Sequence, residues 1–212
     1  MSARVICLSR AICAGADEVA VLVAKELGFR RVDEEIISRA AERRKLDPVE
    51  VADAERRKSF LEQLIDEIGR GGSMVGYGDA YIPDPDAMPL RSEQLRTLIR
   101  EAILETAAQG NVVIVAHAAS YALGKRDDVL RAFVTGSLPV RAGRLALAES
   151  KTLEEAEEAI AQSDEDRADY LERFYDVERE LPEHYDITVS TDLLTPAQAA
   201  ELIVAAALAI HG

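Results

Sequence analysis

Val5-Ile6-Cys7-Leu8-Ser9-Arg10-Ala11-Ile12-Cys13-Ala14-Gly15-Ala16-Asp17-Glu18-Val19-Ala20 is the stretch that decides the fold. Its apolar start reads as a buried strand and Gly15 as a tight turn. The apolar spacing that continues to Leu27 reads as a helix, closed by Gly28. Strand, tight turn and helix in that order is the layout of a phosphate-binding loop. Such a loop works through Gly-x-x-x-x-Gly-Lys-Ser/Thr: glycines aim backbone N–H groups inward, the lysine meets phosphates, and the hydroxyl meets magnesium. With Gly15 as the glycine before the lysine, Ala16 fills the lysine slot and Glu18 the hydroxyl slot. Asp17 and Glu18 then stand where a polyphosphate would come. The same pair also complements the positive end of the helix that it starts.

Composition sets the outer bounds. The 212 residues make one large domain, or one domain with a sizeable insertion. A 48% hydrophobic share suffices for a core, and a net charge of −14 opposes nonspecific nucleic-acid or anionic-membrane binding. No apolar run approaches the ~20 residues of a membrane span. The N-terminal residues lack a signal-peptide layout, since Val5 to Ser9 already reads as core strand, so a cytoplasmic location is expected. Cys7 and Cys13 are too few for a disulfide framework or a zinc site, and no metal site is expected. Cys7 belongs to the strand; Cys13, in the loop, is the better candidate for a reactive thiol.

Further along, Phe29 to Val32 reads as a short strand, and Asp33 opens a helix to about Arg44. Asp47-Pro48 starts another helix that Gly69-Arg70-Gly71-Gly72 ends. From Gly69 to Arg91 the chain is irregular, with five glycines and three prolines, and Tyr77, Tyr81 and Ile82 there could pack on a second subunit in a homodimer. The basic clusters at 43–45 and 56–58 read as solvated helix faces. Leu95, Leu98, Ile99, Ala102 and Ile103 mark an amphipathic helix that ends at Gly110. Val112 to Ala116 is a strand buried on both faces. Ala132 to Thr135 is another strand, followed by a helix from Pro139. An acidic helical region covers Thr152 to about Glu180. Ile187-Thr188-Val189 is the last strand, and Thr195-Pro196 caps an alanine-rich helix. Alternating strands and helices predict an α/β fold with a parallel sheet covered on both faces.

Several segments together resemble the cytidylate kinase-like family of nucleoside-monophosphate kinases. They are Ser9-Arg10, Gly28-Phe29, Val32-Asp33-Glu34-Glu35-Ile36-Ile37, and Phe133-Val134-Thr135-Gly136-Ser137 running into Pro139-Val140-Arg141-Ala142-Gly143-Arg144. Ser163 to Tyr170 and Tyr185 to Thr195 complete the set, and only the region from roughly Arg44 to Arg91 falls outside the likeness. The resemblance implies a single three-layer α/β/α P-loop sandwich over 1–212, with a five-stranded parallel sheet. An insertion would span 44–91 and a helical lid 152–180. It also implies phosphate binding at Ser9, Cys13, Ala14, Gly15, Ala16, Asp17 and Glu18, and a nucleotide ligand reaching Asp33 and His117. ATP and Mg2+ would be the cofactors if the chain is active.

Where that chemistry would sit, this chain departs from the family. The family's Gly-Ser-Gly-Gly is Cys13-Ala14-Gly15-Ala16, its following polar or basic residue is Asp17, and its Gly-Arg-x-x-Asp is represented by Ala116, His117 and Ser120. At ~4 Å and an effective dielectric near 20, each like-charge contact with a phosphate would cost about 4 kcal/mol before salt relieves it. Arg10 is the one nearby cation able to replace the lysine. Arg141, Arg144 and Arg167 are expected either to grip phosphate bidentately or to pair with carboxylates such as Glu149 or Asp164. Asp33 could orient a substrate or cap its helix, and His117 could serve the site or the core. Three functions remain open. One is a nucleotide-binding or regulatory protein with weakened phosphoryl transfer; another is a working kinase that uses Arg10 and the lid arginines; the third is a structural dimer that binds nothing.

Overall fold

The computed structural model describes residues 3–33, 92–115 and 119–210, and side chains at most of them. At its centre runs β1 (Val5–Arg10), whose first five residues are fully buried. Val112–Val115 forms β3, buried throughout, as a β-branched run between two covered faces must be. β2 (Arg30–Val32), β4 (Val129–Thr135) and β5 (Ile187–Ser190) complete a five-stranded sheet in the order β2-β3-β1-β4-β5, with every pairing parallel. Val5 lies opposite both Val112 and Val129. This is the predicted α/β sandwich, with five strands as expected.

Six helices surround the sheet in the described residues: α1 (Ala16–Leu27), α2 (Ser92–Ala108), α3 (Ala119–Leu123), α4 (Leu138–Glu149), α5 (Leu153–Tyr175) and α6 (Pro196–Ala209). Strand alternation sends Ile6, Leu8, Leu130, Ala132 and Val134 into one core with Val19, Val23, Ala199 and Ile203 of α1 and α6. Val5, Cys7, Ile114 and Val129 point the other way, onto Ala102, Ile103 and Ala107 of α2 and Ala119, Ala122 and Leu123 of α3. A third cluster joins α4 to α5 through Ala142, Leu145, Ala156 and Ile160.

Local chemistry sets the helix ends. Thr152 and Glu155 form a reciprocal capping box at the start of α5, and Thr195 and Gln198 do the same for α6, with Pro196 in its first turn. Gly28 closes α1 in the left-handed conformation, its N–H reaching the carbonyls of Ala24 and Lys25.

Four elements differ from the sequence reading. β4 begins at Val129 rather than Ala132, because Val129 and Leu130 pair with Val5 and Ile6 while Arg131, which follows them and precedes Ala132, is neutralised by Asp186. α3 and a short 3-10 turn at Pro182–His184 were not foreseen. The lid-like segment is helical from Leu153 to Tyr175 and irregular from 176 to 181. The expected helices after Asp33 and Asp47, the Gly69–Arg91 stretch, both basic clusters, Ala116 and His117 lie outside the described residues.

Candidate functional site

β1 delivers the chain to the C-terminal edge of the sheet, where ligands of open α/β folds collect. Ser9, fully buried, places its Oγ 3.3 Å from Ser120 Oγ of α3. Arg10 ends the strand, and the Ala11 N–H donates to the Val134 carbonyl at 3.0 Å, so the loop leaves the sheet alongside β4. A tight turn follows, with the Ala14 N–H donating to the Ala11 carbonyl.

The backbone then passes through two left-handed residues, Cys13 at φ 58° and Gly15 at φ 77°. At Gly15 this is free of steric penalty; at Cys13 an L-side chain in that region carries roughly 1–2 kcal/mol. Ala14 and Ala16 are buried, so their methyls pack into the core instead of projecting from the loop. α1 begins immediately after Gly15, with Asp17 and Glu18 exposed in its first turn and no side-chain cap on its N-terminus. Arg10 Nη1 forms an ion pair with Asp17 Oδ2 across the mouth of the loop.

The loop is held from behind by β5 and α4. Thr191 is buried, and its hydroxyl donates to the Ala14 carbonyl at 2.8 Å while accepting from Arg144 Nη1 at 2.9 Å. Arg144 also donates to the Cys13 carbonyl at 3.2 Å and, through Nη2, to the Thr191 carbonyl at 2.7 Å. Both carbonyls of the loop's bend are therefore fixed by side chains far away in sequence. Asp192 accepts from the Ser137 N–H at 2.7 Å, at the start of α4.

Arg141 is 5% exposed and tied to two groups. Nε donates to the Gly136 carbonyl at 2.8 Å, and the two terminal nitrogens fork onto Asp164 of α5 at 2.8 and 2.6 Å. Arg167 forks onto Glu180 at 2.9 and 2.7 Å, and its guanidinium stands 5.5 Å from the centre of the Phe133 ring. Tyr185 stacks on Phe133 with centroids 5.0 Å apart and donates its hydroxyl to Glu180. Tyr121 joins this cluster, with His184 Nδ1 at 3.3 Å and Tyr185 Oη at 3.4 Å from its hydroxyl.

The electrostatics follow from these contacts. Burial pushes the Cys13 thiol up and Glu149 adds to the rise, against the lowering effect of Arg141 and Arg144. Burial alone would raise Glu180, but the Arg167 fork and charge, with the Tyr185 hydrogen bond, bring it below the usual carboxylate range. Tyr185 rises, first from burial and then from its bond to the Glu180 anion.

The structure thus gathers Ser9, Arg10, Cys13 to Glu18 and Arg144 around one loop, with Arg141 and Arg167 on the elements beside it. Asp33 lies just beyond β2 and accepts from Arg31. Thr191, Asp192, Glu180 and Tyr185 were not singled out from the sequence. Thr191, Asp192 and Tyr185 sit within the segment Tyr185 to Thr195 that carries part of the family likeness, the one signal that could have found them. Among the described residues no helix is long and apolar enough to cross a membrane, and no cluster of three or more His, Cys, Asp or Glu side chains could hold a metal ion.

Known proteins resemble this chain in sequence or in fold. A cytidylate kinase from Ignicoccus hospitalis is 30% identical over 145 residues, which cover 68% of this chain and 78% of that protein. The crystal structure of an uncharacterized protein from Eubacterium ventriosum superposes over 95% of this chain and 96% of that one with a TM-score of 0.62, at 15% identity, a likeness of fold. A shikimate kinase from Bacteroides thetaiotaomicron aligns over 95% of this chain and 94% of its own, at 18% identity and a TM-score of 0.49. The pattern of the cytidylate kinase-like family matches residues 5–193, from the first residue of β1 to beyond the Thr191 anchor. With a 2-3-1-4-5 parallel sheet and a strand–loop–helix unit built on its central strand, the chain belongs to the cytidylate kinase-like family and carries its kinase-like, nucleotide-binding fold.

Proposed function

We propose that this protein is a nucleotide-binding or regulatory member of the family in which phosphoryl transfer is weakened or lost. The observation that carries the reading is the Arg10–Asp17 ion pair. Phosphoryl transfer is mostly positioning plus neutralisation of charge, so a loop needs net positive character where the phosphates lie. Here the one cation on the loop itself is neutralised by a carboxylate of the same loop, and Glu18 adds a second negative charge. Arg141 and Arg167 face carboxylates, and Arg144 is committed to loop carbonyls and Thr191. Magnesium triphosphate fits this donor set poorly, since lysine and hydroxyl are replaced by Ala16 and Glu18.

A second reading has its own support. Arg10 and Asp17 are 36% and 59% exposed in their side chains, and an ion pair so open to water is worth about 0–1 kcal/mol. A phosphate could take Arg10 from Asp17 at little cost, leaving a working kinase with an arginine in the lysine's place.

A coupled assay with CMP and magnesium-ATP separates the two. The first reading expects turnover far below ordinary kinase rates of about 1–100 s⁻¹, together with nucleotide binding visible in thermal shift. Turnover within that range overturns it in favour of the second. No thermal shift with any nucleoside mono-, di- or triphosphate overturns both.

A further inference from the structure

The geometry points to Glu180 as a built-in pseudo-ligand, filling an anion site made by Arg167 and Tyr185 that takes a phosphate group when Glu180 withdraws. The inference rests on the reading of a nucleotide-binding cleft and names a contact that holds part of that cleft shut.

Glu180 is held as an anionic ligand would be. Its two oxygens receive the fork of Arg167, Nε on one at 2.9 Å and Nη2 on the other at 2.7 Å, the bidentate pattern that arginine offers carboxylates and phosphates alike. Tyr185 adds a hydroxyl donor to the same oxygen that Nη2 reaches. The floor is aromatic: Phe133 lies under the Arg167 guanidinium and is stacked on Tyr185. The side chains of Arg167 and Glu180 are only 9% and 19% exposed, so the site is built and largely enclosed.

Three features separate this from an ordinary structural ion pair. Donors and acceptor sit on different kinds of element: Arg167 is in the middle of α5, and Tyr185 lies between the 3-10 turn and β5, beside Phe133 in the sheet. Glu180 instead lies on the irregular stretch between Asp176, the left-handed cap of α5, and the 3-10 turn at Pro182. That stretch can shift and carry the carboxylate away without breaking a helix or a strand. The site also adjoins the phosphate loop, because Phe133 is paired in register with Ser9, the residue before Arg10. Finally, Tyr121, 3.4 Å from the Tyr185 hydroxyl, directly follows Ser120, which touches Ser9.

Calorimetry with inorganic phosphate on the full chain tests this. Glu180→Ala should bind phosphate at least tenfold tighter than the unaltered chain, and adding Arg167→Ala should remove the gain. Equal affinity in the unaltered and Glu180→Ala chains, or a gain that survives Arg167→Ala, overturns the inference. Where Glu180→Ala is too unstable for calorimetry, phosphate should raise its Tm more than it raises that of the unaltered chain, and an equal rise overturns it. Glu180→Gln, which keeps size and one acceptor, should show a smaller gain in the same direction; no gain counts against the inference. Inorganic phosphate reports on this site independently of nucleotide. Failed nucleotide binding with a phosphate gain in Glu180→Ala sinks the proposed function alone. Nucleotide binding with no such gain sinks the pseudo-ligand alone.

Discussion

Arg10, the last residue of β1, closes on Asp17 in the first turn of α1, so the two ends of the loop between β1 and α1 are joined by the loop's own charges. The positive end of the α1 dipole and the Arg10 guanidinium both favour an anion at this place, and Asp17 supplies one from within the chain. Under the proposed function, an incoming phosphate would compete here with a covalently attached carboxylate. Glu180 on Arg167 repeats that relationship at a second position, and Asp164 on Arg141 at a third.

If these loop carboxylates are what repel phosphate, Asp17→Asn combined with Glu18→Thr should tighten pyrophosphate binding by about tenfold or more. Removing two charges near a helix N-terminus that carry no side-chain cap should leave stability within about 1 kcal/mol. Calorimetry on the folded variant measures the effect. An unchanged affinity would mean that the cleft is shut by packing and not by charge.

Thr191 should matter to the loop more than its place in a linker suggests. Its hydroxyl is the donor to the Ala14 carbonyl and an acceptor for Arg144, in a buried position. Thr191→Val keeps the shape, takes the hydroxyl donor from the Ala14 carbonyl and one acceptor from Arg144, which keeps its two carbonyl partners, at roughly 1–3 kcal/mol. Urea denaturation of Thr191→Val, Arg144→Ala and the double variant should show coupling of about 0.5–3 kcal/mol, because both side chains hold the same bend. Strict additivity would show that Thr191 and Arg144 hold the loop independently and not as one network.

Much of the fold was readable because its causes are local. Val112 to Val115 carries its own evidence of burial on both faces, Gly15 of a left-handed turn, and Thr195-Pro196 of a helix start. The start of β4 was hidden because Arg131 interrupts the apolar run, and its partner Asp186 lies 55 residues away. α3 is five residues long, too short for a helical period to declare itself. The loop residues were legible by position, but what holds them was not: Thr191 meets Ala14 across 177 residues. The choice between phosphate-gripping and salt-bridging arginines also depended on tertiary partners, since Arg141 and Arg144 share a helix face yet one takes Asp164 and the other backbone carbonyls and Thr191.

Cysteine chemistry offers an independent check on the loop. Cys7 is fully buried, and burial pushes its thiol up to about 12. Cys13 is half-buried and also raised, first by burial and then by Glu149. The thiolate is the reactive form, so both should be poor nucleophiles at neutral pH. Iodoacetamide labelling followed by mass spectrometry at pH 7 should modify Cys13 more slowly than a free peptide thiol, with the rate rising as pH increases, and should leave Cys7 intact in the folded chain. Labelling of Cys13 at or above the peptide rate would show an electropositive loop, contrary to the charge balance argued here.

The acid limb of stability should report the Glu180 contact. Glu180 is held below its ordinary value of 4.5 because the Arg167 fork and the Tyr185 bond outweigh burial, and Asp186 is held below 3.8 by Arg131 against the same opposing effect. A carboxylate whose pKa is lower in the folded chain stabilises it fully above the unfolded value. That stabilisation is lost as pH falls from the unfolded value through the folded one. Unfolding free energy should therefore decline below about pH 4.5. Glu180→Gln cannot ionise and loses the charged half of the fork, so it should be less stable at pH 7 by roughly 2 kcal/mol. It should also decline less steeply in acid, so that the two stability curves converge toward pH 3. Urea denaturation at half-unit steps from pH 3 to 7 measures both curves. Parallel curves would mean that Glu180 ionises alike in the folded and unfolded chain, and the charge-assisted hold of Arg167 on it would have to be abandoned.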